Sequence, residues 1–148
     1  MKQFLFAAVL MAGLVACGNA DKSAGGPVLT EEQKQKAVTD SSQFTTVEWL
    51  GGTFQDLGKV TDGQVVEVSF RFRNSGTNNL IIENVTAGCG CTVPEKPGRP
   101  YAPGEEGVIK AKFDSRGRKG NNDKYVTVKA NTKPTMEHVL SFKIFVNE

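Results

Sequence analysis

From Val66 to Arg73 the chain alternates without a break. Val66, Val68, Phe70 and Phe72 are apolar, and Glu67, Ser69, Arg71 and Arg73 are polar. A period of two is that of a strand with one buried and one wet face. Asn74-Ser75-Gly76 then supplies turn chemistry. Leu80 to Thr86 reads as the next strand. After the turn at Pro103-Gly104-Glu105, Val108 to Asp114 sets Ile109, Ala111 and Phe113 on one side. Val126, Val128 and Ala130 mark another strand, and Leu140, Phe142, Ile144 and Val146 the last. Thr45 to Leu50 and Thr53 to Val60 supply the first two, with Trp49 and Phe54 as expected core residues. No helical period and no internal repeat interrupts this region. About seven short strands with turns between them predict an immunoglobulin-like antiparallel β-sandwich over residues 44–148.

The first 43 residues follow a different pattern. Lys2 precedes an uncharged run from Phe4 to Val15. That run has the length of a signal h-region and is too short to span a bilayer stably. It ends in Leu14-Val15-Ala16-Cys17, which resembles the bacterial lipobox, where cleavage precedes an acylated cysteine. Residues 1–16 are therefore expected to be a lipoprotein signal peptide, with lipid on Cys17 as the membrane anchor and more than one acyl chain to hold it. Residues 17–43 form the tether. Gly18 to Leu29 is small, polar and broken by Gly and Pro. From Thr30 a short polar helix is predicted, because Thr30 and Gln33 have capping-box spacing and Glu31 and Glu32 sit in the first turn. Gly18 is not the Asp that retains some lipoproteins at the inner membrane, so the expected location is the outer membrane, facing the periplasm.

Charge and composition narrow the chemistry. The net charge is +2, or +1 without Lys2, too little for a field that recruits nucleic acid. One His and one Trp leave few ligands or bases, and no Ser-His-Asp order or phosphate loop is present. No cofactor and no catalytic residue is expected. Once Cys17 is acylated, the remaining cysteines are Cys89 and Cys91, in Thr86-Ala-Gly-Cys-Gly-Cys-Thr-Val-Pro94. Residues two apart in an extended segment point the same way. Three readings stay open: a disulfide between them, a pair of thiolates on a soft metal such as Cu(I), or a turn shaped by small residues. Shape or a disulfide staple is preferred over metal or redox chemistry, since a tetrahedral zinc site needs more ligands and His138 is remote in sequence. Arg116, Arg118 and Lys119 form a basic hairpin tip, a candidate interaction loop, continued as a polar turn through Asn121, Asn122 and Asp123. His138 is expected at the surface. Phe145 falls on the face opposite Phe142's neighbours and is a candidate interface residue.

The runs F-R-F-R-N-S-G-T-N-N-L-I-I-E-N-V-T-A-G-C-G-C-T-V-P, A-P-G-E-E-G-V-I-K-A-K-F-D and K-A-N-T together resemble the bacterial envelope family called domain of unknown function 1573. The likeness runs from about Asp56 to the C-terminus, and its most specific part is Cys89-Gly90-Cys91-Thr92. It departs at Gly88, where Ser is common. The resemblance implies an immunoglobulin-like fold, similar to cilia-associated and major sperm protein-like domains, and no particular activity. The expected function is a non-catalytic envelope module that binds a protein or glycan partner. The competing expectation is a thiol-based copper or redox protein. If Cys17 carries the anchor, Cys17→Ser moves the protein to the soluble fraction or leaves the precursor uncut. A variant that stays membrane-bound at mature size contradicts the lipid.

Overall fold

The computed structural model describes residues 27–148; the expected signal peptide, Cys17 and the start of the expected tether lie outside the described residues. Eight strands make two four-stranded sheets. They are β1 (Val47–Leu50), β2 (Phe54–Thr61), β3 (Val65–Asn74), β4 (Ile82–Ala87), β5 (Thr92–Glu95), β6 (Glu106–Asp114), β7 (Gly120–Ala130) and β8 (Glu137–Asn147). One sheet has the order β1-β3-β6-β5 and the other β2-β8-β7-β4. The immunoglobulin-like sandwich expected from alternation is what forms. Three details depart from that expectation. β5 is an additional strand, β2 runs parallel to β8, and Asn121 to Asp123 pair with β8 instead of forming a turn.

Alternation generates the core. Phe70 of β3 lies opposite Ile109 of β6, and Val68 opposite Ala111. These four are essentially buried, as are Phe72 and Phe113. The second sheet contributes Val126 and Val128 from β7 and Leu140, Phe142, Ile144 and Val146 from β8. Rings pack edge to face within the core, the geometry their quadrupoles favour. Phe113 meets Phe142 at 6.0 Å between centroids, and Phe72 meets Tyr101 at 4.9 Å. Gly107 faces Phe72 across β3 and β6. A Cβ there would collide with the Phe72 and Tyr101 rings.

β1 and β2 belong to different sheets because the chain kinks between them. Gly51 (φ 92°) and Gly52 (φ 84°) both take the left-handed region, which costs a residue with a Cβ far more than glycine. The kink carries Phe54 onto the outer face of the second sheet. The expectation that Phe54 is a core residue is thus corrected: it is exposed, whereas Trp49 packs against the core. Helix α1 (Glu31–Thr39) has the capping box read from Thr30 and Gln33. Its Ala37 is buried. Beyond it, Asn78 Nδ2 donates to the carbonyls of Ser42 and Phe44 at 3.1 and 3.2 Å, so the segment entering the domain is held against it.

Two asparagines close the end of the sandwich where the chain enters. Asn74 is fully buried. Its Oδ1 accepts from the Thr45 hydroxyl at 2.8 Å and the Gly76 N–H at 3.2 Å. Its Nδ2 donates to the carbonyls of Asn78 and Tyr101, each at 2.8 Å. Asn131, also buried, accepts from the Ile81 N–H at 2.7 Å and donates to the carbonyls of Asn79 and Gln43. Buried amides satisfied in this way stabilise modestly, but losing one strands all its partners.

Phe70→Ala should cost about 3–5 kcal/mol, the usual range for a buried Phe. Arg71→Ala, on the wet face of the same strand, should cost about 1 kcal/mol or less. Asn74→Ala should fall nearer the first, at about 3 kcal/mol, from stranded donors and acceptors. Chemical denaturation of the three variants measures this order. Equal losses for Phe70 and Arg71 would contradict the register.

Candidate functional site

Strand direction gives the sandwich two distinct poles. Thr45, the β3–β4, β5–β6 and β7–β8 connections and α1 lie at the entry pole. The β2–β3, β4–β5 and β6–β7 connections and Glu148 lie at the other. Strands of about ten residues separate the poles by roughly 33 Å.

Cys89 and Cys91 sit at the far pole, where the chain crosses from β4 in one sheet to β5 in the other. They are joined in a disulfide. Cys91 is buried and belongs to the core, and Cys89 packs against it. The Cys91 carbonyl accepts from the Asp114 N–H at 2.9 Å, which ties the crossing to the end of β6. Of the three readings, the staple is the one formed. While the bond is closed, the pair offers no thiolate to a metal. Among the described residues, no three His, Cys, Asp or Glu side chains are grouped to hold a metal ion.

The basic loop sits at the same pole, and its charge is mostly answered. Arg116 grips Asp114, with Nη2 2.6 Å from Oδ2. That hydrogen bond, with the Arg116 backbone N–H, holds the Asp114 carboxyl down at about 2. Lys119 pairs with Glu148 at 3.1 Å. Among the described residues, Arg118 makes no ion pair. The Gly117 N–H donates to Asp62 at 2.8 Å, and the Ser115 hydroxyl donates to the Thr61 carbonyl at 3.0 Å. The three loops of this pole therefore brace one another.

His138 is corrected from a surface position to a half-buried one. Trp49 Nε1 approaches its Nδ1 at 3.5 Å, and the Thr132 hydroxyl lies 2.8 Å from its Nε2. With Nδ1 accepting from Trp49, Nε2–H donates to Thr132, whose own proton goes to the Thr135 carbonyl at 2.7 Å. The neutral ring satisfies every group, and burial lowers the histidine's pKa.

The two outer faces of the sandwich differ. On the first sheet, charges pair in a lattice around two exposed valines, Val65 and Val93. Arg71 and Arg73 both reach Glu106 at 2.8 Å, Lys110 pairs with Glu67, and Lys112 pairs with Glu95. On the second sheet large apolar groups stand in solvent: Phe54 at 53%, Tyr125 at 56%, Val139 at 56% and Phe145 at 37% exposure. Register places Phe54 and Tyr125 on either side of Ser141, and Lys59 and Asn121 on either side of Phe145. A groove of about 450 Å³ runs beside Phe145, between Asp56, Lys59, Asn121, Asp123 and Lys143. A smaller hollow of about 160 Å³ continues from Asp123 past Tyr125 to Cys89. Sequence reading singled out Phe145 on this face. It missed Tyr125 and Asp123, although extending the alternation of β7 back to Gly120 would have found them.

These features define an immunoglobulin-like sandwich with one charge-compensated face and one aromatic face. The family model "Protein of unknown function (DUF1573)" matches residues 47–146, and the chain belongs to that family. Among curated proteins no relative matches. Among solved structures, a protein of unknown function from Porphyromonas gingivalis W83 is similar at TM-score 0.60 and 18% identity, over 71% of this chain and 48% of that one. The secreted serine protease VesC from Vibrio cholerae is similar at 0.52 and 14%, over 72% and 24%. The YadV chaperone is similar at 0.51 and 14%, over 69% and 52%. The chain spans about half or less of the length of these structures, and at such identities the likeness is one of fold.

His138 generates a pH prediction. Its folded-state pKa lies below the ordinary histidine value of 6.5, so the unfolded chain binds the proton more readily. The stability this contributes is complete above 6.5 and falls as pH drops through the folded-state value. Urea midpoints should therefore decline on moving from pH 7.5 toward 5, above the range where the carboxylates titrate, and His138→Gln should flatten that decline. An unchanged slope in the variant would contradict the neutral, buried ring.

Proposed function

We propose that this protein is a non-catalytic cell-envelope lipoprotein, acylated at Cys17, whose immunoglobulin-like domain is an interaction module for an envelope protein or glycan. The observation that carries the reading is the row of exposed aromatic rings on the second sheet, against a first sheet whose exposed apolar groups are Val65 and Val93 set among ion pairs. A sheet with its ion pairs satisfied internally is a solvated surface. A sheet that leaves Phe54, Tyr125, Val139 and Phe145 exposed keeps apolar area available for a partner. The polarity of the chain supports the same reading. Residues from the anchor side enter at one pole, so the disulfide crossing and Arg118 stand at the end turned away from it.

The absence of catalysis is part of the proposal. The sequence has one histidine, and it is engaged by Trp49 and Thr132. The cysteine pair is engaged in its disulfide. Neither is free to act as a base or nucleophile in this state.

Crosslinking in intact cells tests the module. A diazirine amino acid at Tyr125 should yield an adduct of higher mass, and the same group at Glu67, on the ion-paired face, should not. The adduct should disappear when Cys17→Ser removes the anchor. No adduct at Tyr125, or equal adducts at both positions, would overturn the reading.

A further inference from the structure

We propose that the groove across β2, β8 and β7 binds a neutral pyranose glycan, with one sugar stacked on Phe145; this rests on the interaction-module reading and names the partner's chemistry. The groove is opened by a break in regular pairing. The β2–β8 register shifts between Asp56 and Lys59. At the shift Gly58 takes φ 69°, and its N–H donates to Asp56 Oδ1 at 3.0 Å. A bulge of this kind re-aims side chains at a sheet edge, and here it leaves a notch beside the Phe145 ring.

Charge selects the class of ligand. Asp56 and Lys143 pair at 3.0 Å across the groove. Asp123 flanks Lys143 from the other side by register, and Lys59 flanks Phe145. Two carboxylates and two ammonium groups sum to zero, so an anionic polymer meets Asp56 and Asp123, and a cationic one meets Lys59 and Lys143. A polyhydroxylated neutral ligand both donates and accepts, and can use all four together with the Asn121 amide. The aromatic ring complements this. The C–H face of a pyranose is weakly positive and matches the negative face of a ring. The Lys59 ammonium stands 5.8 Å from the Phe145 centroid, at the outer limit of a cation–π contact, on a stem free to swing aside.

The arrangement of the face argues against an apolar protein partner. Apolar and charged rows alternate along it: Phe145, then Lys143 between Asp56 and Asp123, then Phe54 and Tyr125 about Ser141. The aromatic rows lie four residues apart along β8, about 13 Å. A contiguous apolar surface would bury the intervening charges at a cost. A glycan of two or three units spans ring to ring and hydrogen-bonds to the charged row between.

The test is an NMR titration of the mature chain carrying Cys17→Ser, labelled with ¹⁵N. Cellotetraose, tetra-N-acetylchitotetraose and mannotetraose serve as neutral probes, and tetragalacturonate as the anionic one. The expected result is saturable shifts at Lys59, Asn121, Asp123 and Phe145 with at least one neutral probe and not with tetragalacturonate. Phe145→Ala should weaken that binding by about tenfold, Phe145→Tyr should retain it, and Glu67→Gln should leave it unchanged. Silence with all neutral probes at millimolar concentration overturns the glycan site, as does preference for the anionic probe, shifts confined to another face, or self-association through this face. Silence here with a discrete protein adduct at Tyr125 leaves the module standing without the glycan. Silence here and no adduct at Tyr125 removes both.

Discussion

The Asn74 side chain is the constraint on which the entry pole depends. It is fully buried, and its four hydrogen bonds run to Thr45, Gly76, Asn78 and Tyr101. Those partners come from three separate segments: the approach to β1, the turn after β3 and the loop before β6. No apolar residue could hold three backbone segments in register, because each would keep its unpaired polar groups. Gly76 is part of the same constraint, since a Cβ there would collide with the Thr45 hydroxyl and the Thr46 backbone. Asn131 does the equivalent work between Gln43, Asn79 and Ile81. Together they set the angle at which the chain enters the sandwich.

The far pole is held by different means. There the disulfide, the Asp114–Arg116 pair and backbone bonds among the three loops act together with one buried amide, Asn122, which donates to the Arg118 and Gly120 carbonyls. The cysteines mark the crossing from β4 to β5, where a strand leaves one sheet for the other. The basic loop, the plainest candidate for contact with anionic partners, is largely neutralised by Asp114 and Glu148. The exposed aromatic surface lies instead on the second sheet. Its aromatic face lies between the poles and touches the cysteine crossing through Tyr125 and Asp123.

Several sequence readings met a physical limit. Alternation reports which residues of one strand share a face, and it served well for β3, β6 and β8. It cannot say which sheet a strand joins. Phe54 looked like core for that reason: Gly51 and Gly52 switch the chain to the second sheet and turn the ring outward. Polar strands are also hard to see. Gly120 to Asp123 carries turn-type residues, yet β8 imposes pairing on it. His138 has nothing local to signal burial, because its partners Trp49 and Thr132 come from β1 and the β7–β8 connection.

The sequence by itself determined the sandwich class, the inward residues of the long strands and the helix cap at Thr30. Each is written in short-range periodicity or spacing. Only the tertiary structure decided that Cys89 and Cys91 are bonded to each other, that β2 pairs in parallel with β8, and that the exposed aromatic rings gather on the outer face of the second sheet. Those outcomes depend on groups far apart in the chain, and no local pattern records which distant charge will answer which.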